Sequence, residues 1–468
     1  MALANTNFGY QRIKELLLRV GSVYFIGIGG VSMSCLAEMC VERGYRVAGS
    51  DRTPSGFTHR LEEKGIRVFY EHRAEQVEGF GIVVYTLAID KDNPEYNAAV
   101  KAGIPVVSRA DFLGYLMHEY GMRIGVSGMH GKSTVTAMLS AVLDAGKVAP
   151  TVLSGASLNH HDGCYRKGKR DFFLYEACEY MGSFLRFYPT VAVILNMEMD
   201  HPDYFHSMDD VRLAFRGALD RLPADGCAIL NADDAEVLDL KKGTACRTLT
   251  FGLKEKADFS AKDIQTKNGL CTFTLVVKGE DSLCITLKVP GLHNVTNALA
   301  VAAVAHEAGI SPEALKEGLE AFEGARRRME YHTVIDGVAI YEDYAHHPTE
   351  IRASLQAAKQ MTEGDVWCVF QSHTYSRTAE LFSEFTEALL LADHGIILPI
   401  YAAREINVHG VSGEKLASSL GGKGTYMPDF KSAADYVLKN AKNGDLIIVM
   451  GAGDVFHVLE EMGISTLN

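Results

Sequence analysis

Short apolar runs, each closed by glycines or acids, alternate with longer helical stretches along this chain. The runs that read as strands include Val23–Ile28, Tyr45–Val47, Ile82–Tyr85, Ile124–Val126, Val191–Leu195, Trp367–Phe370, Ile396–Ile400 and Leu446–Met450. Uniformly apolar strands separated by helices predict parallel sheets covered by helices. Two segments break the alternation. Thr272–Val277 and Leu283–Val289 flank the polar stretch Lys278-Gly-Glu-Asp-Ser, which predicts an antiparallel hairpin. The Ala-rich stretch from His293 to Ala308 predicts a helix that stops before Gly309, and Ser311-Pro312 has the form of an N-cap followed by proline in the first turn.

The chain has 468 residues, and at about 100–200 residues per domain this suggests two to four domains. We place boundaries near 110 and 325. Residues 1–110 hold one βαβ set, 111–325 a second set with a phosphate loop, and 326–468 a third, so the expected fold is a three-domain α/β protein. A formal net charge of −13 argues against a nucleic-acid groove, which needs clustered cations, while small anions can still be held by helix N-termini or metal. The nine cysteines are scattered, without paired metal spacing, and predict reduced thiols in the cytoplasm. The first twenty residues lack an apolar core followed by a cleavage site, and the apolar run from Val20 to Met33 is interrupted by glycines and too short to span a bilayer, so no membrane anchor is expected.

The sharpest chemical signal is Ile124-Gly-Val-Ser-Gly128-Met-His-Gly131-Lys132-Ser133-Thr134. A strand runs into glycines, and Lys-Ser-Thr opens a helix. Glycines let backbone N–H groups approach phosphate oxygens, and the helix N-terminus adds donors and a positive dipole. Lys132 has the reach for terminal phosphates, and the Ser133 hydroxyl can ligate Mg²⁺. The spacing is a compact G-x-x-G-K-S-T, with glycine at 128 where the general pattern would place it at 126.

A second glycine loop, Gly27-Ile-Gly29-Gly30-Val-Ser32, follows the first strand, and Asp51 closes the next strand about 20 residues on. Alone it suggests a dinucleotide site with Asp51 on a ribose hydroxyl, or simply a tight turn. Two acid clusters, Glu176-Ala-Cys178-Glu179 and Asn196-Met-Glu198-Met-Asp200-His201, close strands downstream of the phosphate loop. Oxygen-rich sets at strand ends suit Mg²⁺ shared with nucleotide phosphates.

Together these segments resemble the Mur ligase family, most closely its alanine-adding branch, over nearly the whole chain. Gly128–Thr134 is similar to the family's ATP motif and Gly291-Leu-His293-Asn294-Val-Thr-Asn297 to its adenine-contacting helix start. Gly324-Ala-Arg-Arg327-Arg328 is similar to its Arg-Arg segment and Met450-Gly-Ala-Gly453-Asp454 to its C-terminal motif. Asp343-Tyr-Ala-His346-His347-Pro348-Thr-Glu350 and Gln371-Ser-His373-Thr-Tyr375-Ser-Arg377-Thr378 resemble the signature and amino-acid site of that branch. Two positions depart. Cys178 and Tyr180 stand in a stretch that is often E-A-D-E-S, and Thr374 stands where some members carry arginine.

The resemblance implies a Rossmann-like first domain for a UDP-sugar, a P-loop-type central domain for ATP and Mg²⁺, and a Rossmann-like third domain that closes with the amino acid. The implied partners are ATP, UDP-N-acetylmuramate and L-alanine, joined through an acyl phosphate by a monomer or homodimer. Gly27, Gly29, Gly30, Asp51 and His72 become UDP-sugar candidates. Gly128, Met129, His130, Gly131, Lys132, Ser133, Thr134, His293, Asn297, Arg327 and Asp343 become ATP candidates. Ser133 and Glu176 would hold one Mg²⁺, and His201 with Glu176 a second. Lys132, His346, His373 and Arg377 are the catalytic candidates, with Arg377 on the alanine carboxylate. The alternatives are a ligase of the same family adding a tripeptide to the same acceptor, an oxidoreductase built on the first glycine loop, and a non-catalytic nucleotide-binding regulator.

Overall fold

A computed structural model describes residues 9–90, 92–155, 164–201, 204–403 and 405–466. Residues 1–8, which carry part of the N-terminal reading, lie outside the described residues. The described strands form three sheets, of five, ten and six strands. Each sheet corresponds to one of the three α/β units expected from the alternation of apolar runs.

The first sheet is parallel throughout, with its strands in the order third, second, first, fourth, fifth. Its central strand Ser22–Ile26 is buried at every residue. A strand with neighbours on both edges and helices on both faces must be apolar on both sides, which is why the run does not alternate.

The second sheet is centred on Met122–Ser127, flanked by Lys169–Glu176 and Val191–Ile194, both parallel to it. These three strands end together, so the phosphate loop and both acid clusters emerge on one rim. At the far edge, Leu270–Val277 and Glu280–Pro290 form the expected hairpin. Phe259–Lys267 adds a third antiparallel strand that the apolar pattern did not reveal. Its outer half alternates weakly and is mostly exposed, so little apolar periodicity marked it. The Ala-rich helix, Leu292–Glu307, is buried along ten residues against this sheet. Small side chains permit that close approach. Ser311 caps the following helix Pro312–Ala321 by accepting from Ala314 N–H.

The third sheet is parallel except for Glu330–Ile335, which pairs antiparallel with Val338–Asp343. Strand Leu446–Met450 is its fully buried centre, between Val338–Asp343 and Val366–Phe370. The end of Val338–Asp343 carries Asp343 to a cavity it shares with His130, Gly131 and Asn196 on the rim of the second sheet. No helix among the described residues is long and apolar enough to cross a membrane.

Candidate active site

The phosphate loop is shaped by its glycines and pinned by Asn196. Gly131 caps helix Lys132–Ala145 with φ +83°, a conformation costly for any residue with a Cβ. Gly128, at φ +141°, has Leu195 Cβ 3.0 Å from where its own Cβ would lie. The Asn196 side chain accepts from His130 N–H (2.8 Å) and donates to His130 C=O (3.1 Å), fixing the loop against the neighbouring strand end.

Lys132 Nζ donates to Gly128 C=O (2.5 Å) and to both Glu179 carboxylate oxygens (3.1 and 3.2 Å). Burial opposes charge on both partners, but their mutual attraction wins: Lys132 stays protonated and Glu179 is held below the usual carboxylate range. Glu179 thus occupies the lysine that the sequence assigned to phosphate. Glu176 accepts from Ser133 Oγ (3.1 Å), Ser154 Oγ (2.8 Å) and Gly155 N–H (2.6 Å). A carboxylate beside the Ser133 hydroxyl is an oxygen donor set that fits Mg²⁺. His201 Nε2 lies 3.4 Å from Glu179 Oε1, so its nearest carboxylate in the cluster is Glu179, whereas the sequence pairs it with Glu176. The Tyr180 ring packs against His201 at 4.7 Å, and burial pushes the Cys178 thiol up to about 11, leaving it protonated.

Beside the loop is a small cavity of about 210 Å³ lined by His130, Asn297, His293, Asp343, Arg328 and Glu350 among others. Burial pushes His293 down to about 4, so it enters as a neutral ring able to accept as well as donate. Asn297 donates to Asn294 Oδ1 (3.0 Å). Burial raises Asp343 to about 6 although it accepts from Met329 N–H, Ala345 N–H and Ser354 Oγ. Arg327, at φ +56°, pairs with Glu342 (2.6 Å) and donates to Gly451 C=O (3.1 Å), tying the domain boundary to the third sheet. It lines a neighbouring cleft of about 560 Å³ together with Lys132, Ser133, Glu176 and His201.

A larger cavity of about 730 Å³ lies where all three domains meet. The first domain contributes Thr86, Ser108 and Arg109, the second Tyr180 and His201, and the third His346, His373, Thr374 and Arg377. Arg377 was expected to await a substrate carboxylate. Here it is buried and forms a two-pronged contact with Asp200 Oδ1 of the central domain (Nε 2.9 Å, a terminal nitrogen 2.8 Å). His346 and His373 are neutral: burial pushes them down to about 3 and about 4, with Arg377 adding to the effect. Thr374, at φ +68°, precedes helix Tyr375–Glu380 and donates its N–H to Tyr401 C=O (2.9 Å), which aims Arg377 inward.

The first glycine loop adjoins this cavity through Thr86, whose Cγ2 lies 2.5 Å from where a Gly27 Cβ would be. A Cβ on Gly29 would lie 2.8 Å from Asp51 Oδ2, and Gly30 caps helix Val31–Glu42. Asp51 Oδ2 accepts from Gly29 N–H (2.8 Å) and so braces the loop, while its Oδ1 accepts from Arg52 N–H (2.8 Å) on the exposed side. His72 bonds Glu95 (2.7 Å) and Ser50 Oγ (3.0 Å). The structure therefore gathers the ATP, metal and amino-acid candidates at one meeting of domains, and leaves Asp51 and His72 in the first domain's own network. Sequence reasoning left Glu179 and Asp200 without roles, although both lie in the acid-rich strand ends it singled out. It also missed Asn196, Glu198 and Glu350 as partners of the loop residue His130.

A phosphate loop in one cleft and Arg377 with His373 in the next, with His201 and His346 lining both, define a nucleotide-using enzyme that works between domains. Profiles of the Mur ligase family match along the chain: its catalytic domain over residues 22–121, its middle domain over 126–305 and its glutamate ligase domain over 327–453. A UDP-N-acetylmuramate–L-alanine ligase from Caldanaerobacter subterraneus subsp. tengcongensis is 42% identical, covering 94% of this chain and 96% of its own. One from Lachnospira eligens is 44% identical, covering 94% and 97%. The crystal structure of UDP-N-acetylmuramate-alanine ligase from Thermotoga maritima superimposes with a TM-score of 0.80 at 28% identity, covering 94% of this chain and 99% of that one. A murein peptide ligase from Psychrobacter arcticus shares the fold, with a TM-score of 0.71 at 22% identity over 96% of this chain and 100% of that one. The chain belongs to the Mur ligase family.

Proposed function

We propose that this enzyme joins L-alanine to the carboxylate of UDP-N-acetylmuramate at the expense of ATP, a step in building peptidoglycan precursors. The observation that carries this reading is a pair of adjoining clefts that share His201, Tyr344 and His346: one is lined by Lys132 and Ser133 of the phosphate loop, the other by His373 and Arg377, in a chain that relatives of that activity match over 94% of its length. Tripeptide addition to the same acceptor is the activity in the name of a UDP-N-acetylmuramate:L-alanyl-gamma-D-glutamyl-meso-diaminopimelate ligase from Neisseria meningitides, 26% identical over 65% of this chain, and the 42–44% relatives weigh against it.

A carboxylate resists attack by an amine because it is negatively charged and has no good leaving group. Phosphorylation by ATP turns it into an acyl phosphate, and the alanine amine then displaces phosphate through a tetrahedral intermediate. Most of what the protein must supply is positioning and charge neutralisation. Lys132 would exchange Glu179 for the terminal phosphates, and the N–H groups of Gly131 to Ser133 would cradle them. Ser133 and Glu176, with His201 across the same cleft, would hold Mg²⁺, which neutralises phosphate charge when bound. His293 and Asn297 would meet the base, and Arg327 and Asp343 would reach ATP from the third-domain side. Arg377, released from Asp200, would take the alanine carboxylate, with neutral His373 and His346 beside the reacting groups. The glycine loop Gly27–Gly30 would receive the UDP diphosphate, with Asp51 acting as a brace and His72 behind it.

The test is ADP release measured with UDP-N-acetylmuramate and, in turn, L-alanine, glycine, L-serine and the tripeptide. Release that requires L-alanine supports the reading. Tripeptide-dependent release at higher kcat/KM, or release without the sugar acid, would overturn it.

A further inference from the structure

Two histidines and a carboxylate from different domains meet at the wall of the small cavity. His130 comes from the phosphate loop, Glu198 from the segment after strand Val191–Ile194, and His347 from the cap of helix Pro348–Met361 in the third domain. A ligand atom from each lies within 4.8 Å of the other two. His130 Nε2 contacts Glu198 Oε1, and His347 Nδ1 lies 3.7 Å from that same oxygen while accepting a long N-cap bond from Thr349 N–H (3.4 Å), which an ion would replace. Both rings are buried, and His347 Nε2 has no hydrogen-bond partner among the described residues.

We infer that His130, Glu198 and His347 form a site for a borderline divalent cation of the zinc class, distinct from the Mg²⁺ candidates at Ser133, Glu176 and His201. The donor set carries the argument. Mg²⁺ prefers oxygens alone, whereas two imidazoles and one carboxylate, with a fourth position left for water, are the usual ligands of Zn²⁺ and Co²⁺. An outer contact is also in place: His130 Nδ1 lies 3.1 Å from Glu350 Oε1, the carboxylate behind a ligating histidine that fixes its ring and tautomer. Arg328 lies 3.6 Å from that Glu350 oxygen, which keeps Glu350 as an acceptor rather than a ligand. Tetrahedral bonds of about 2.0–2.2 Å put ligand atoms about 3.3–3.5 Å apart, so side-chain shifts of about 1 Å would complete the site. Because the ligands come from the central and third domains, the ion would bind only when those domains are together and would hold them so.

The inference is independent of the amino acid substrate. It is tested by titrating the full chain with Co²⁺ in excess Mg²⁺, reading visible d–d absorption and the thermal midpoint, and competing with Zn²⁺. The expected result is one equivalent of Co²⁺ bound without thiolate charge-transfer bands, a raised midpoint, and displacement by Zn²⁺. His347→Ala and Glu198→Gln should each weaken binding at least about tenfold, while Glu176→Gln should not. No d–d band in the wild type, a thiolate band from the cysteines, unchanged affinity in both variants, or loss of binding in Glu176→Gln would overturn it.

Discussion

At Gly27–Gly30 and at Gly128–Gly131 a buried strand runs through glycines into a helix, with Gly27 at φ +82° and Gly131 at φ +83°. Their surroundings differ. The second loop is set in charge: Lys132 on Glu179, and His130 between Glu198 and Glu350. The first holds no lysine; Arg109 donates to its Ser32 Oγ (3.1 Å), and Asp51 Oδ2 accepts from Gly29 N–H. A strand–glycine–helix turn therefore specifies a cradle of N–H groups, and the side chains around it decide whether terminal phosphates undergo chemistry there or a diphosphate is merely held.

The largest effect should come from removing the lysine that the second loop has and the first lacks. Lys132→Ala should lower alanine-dependent ADP release by about 10²–10³-fold or more. Calorimetric binding of UDP-N-acetylmuramate should stay within about twofold of wild type, since mass action at a separate loop is untouched. Near-normal turnover would erase the distinction between the loops.

A smaller effect concerns stability and pH. In the metal-free protein, burial opposes the charge on His130, but Glu350 and Glu198 outweigh it and push the ring up to about 10, so that a divalent ion at this cluster must displace the proton. A folded-state value above the ordinary value of about 6.5 means the stabilisation is full below pH about 6.5 and is lost as pH rises through about 10. The thermal-stability gap between wild type and His130→Gln should thus be about 2 kcal/mol below pH 6.5 and shrink toward pH 10. A gap that is flat across that range would show that the network is not charged.

Asp51→Ala should have the smallest effect. Freeing Gly29 N–H loosens the first loop, which should raise the KM for UDP-N-acetylmuramate about tenfold, or about 1.4 kcal/mol, and leave the KM for ATP unchanged. An equal rise in both would mean that the first loop is not a separate site.

Much of this contrast was legible in the residues. Lys132-Ser133-Thr134 after paired glycines is a local code, because backbone conformation and helix dipole act within a few residues. Several apolar strands were legible for a similar reason, because burial on both faces leaves a continuous run, although the equally buried Cys227–Asn231 and Pro150–Leu153 were not singled out. Phe259–Lys267 escaped because an edge strand with an exposed half need not be apolar. Asp51 sat where a ribose-binding acid is expected, and only the folded loop shows that one of its oxygens also braces Gly29 N–H.

By itself, then, the order of residues determined the α/β class, the phosphate loop and the acid-rich strand ends, since each depends on interactions among near neighbours. The tertiary structure alone decided the partners of those groups. Asp200 meets Arg377 across 177 residues, and Thr349 of the third domain donates to Glu198 of the second across 151. Such pairs depend on how whole sheets dock, and a carboxylate's choice between Arg377, His201 and a metal is settled by distances of a few ångströms that no spacing along the chain encodes.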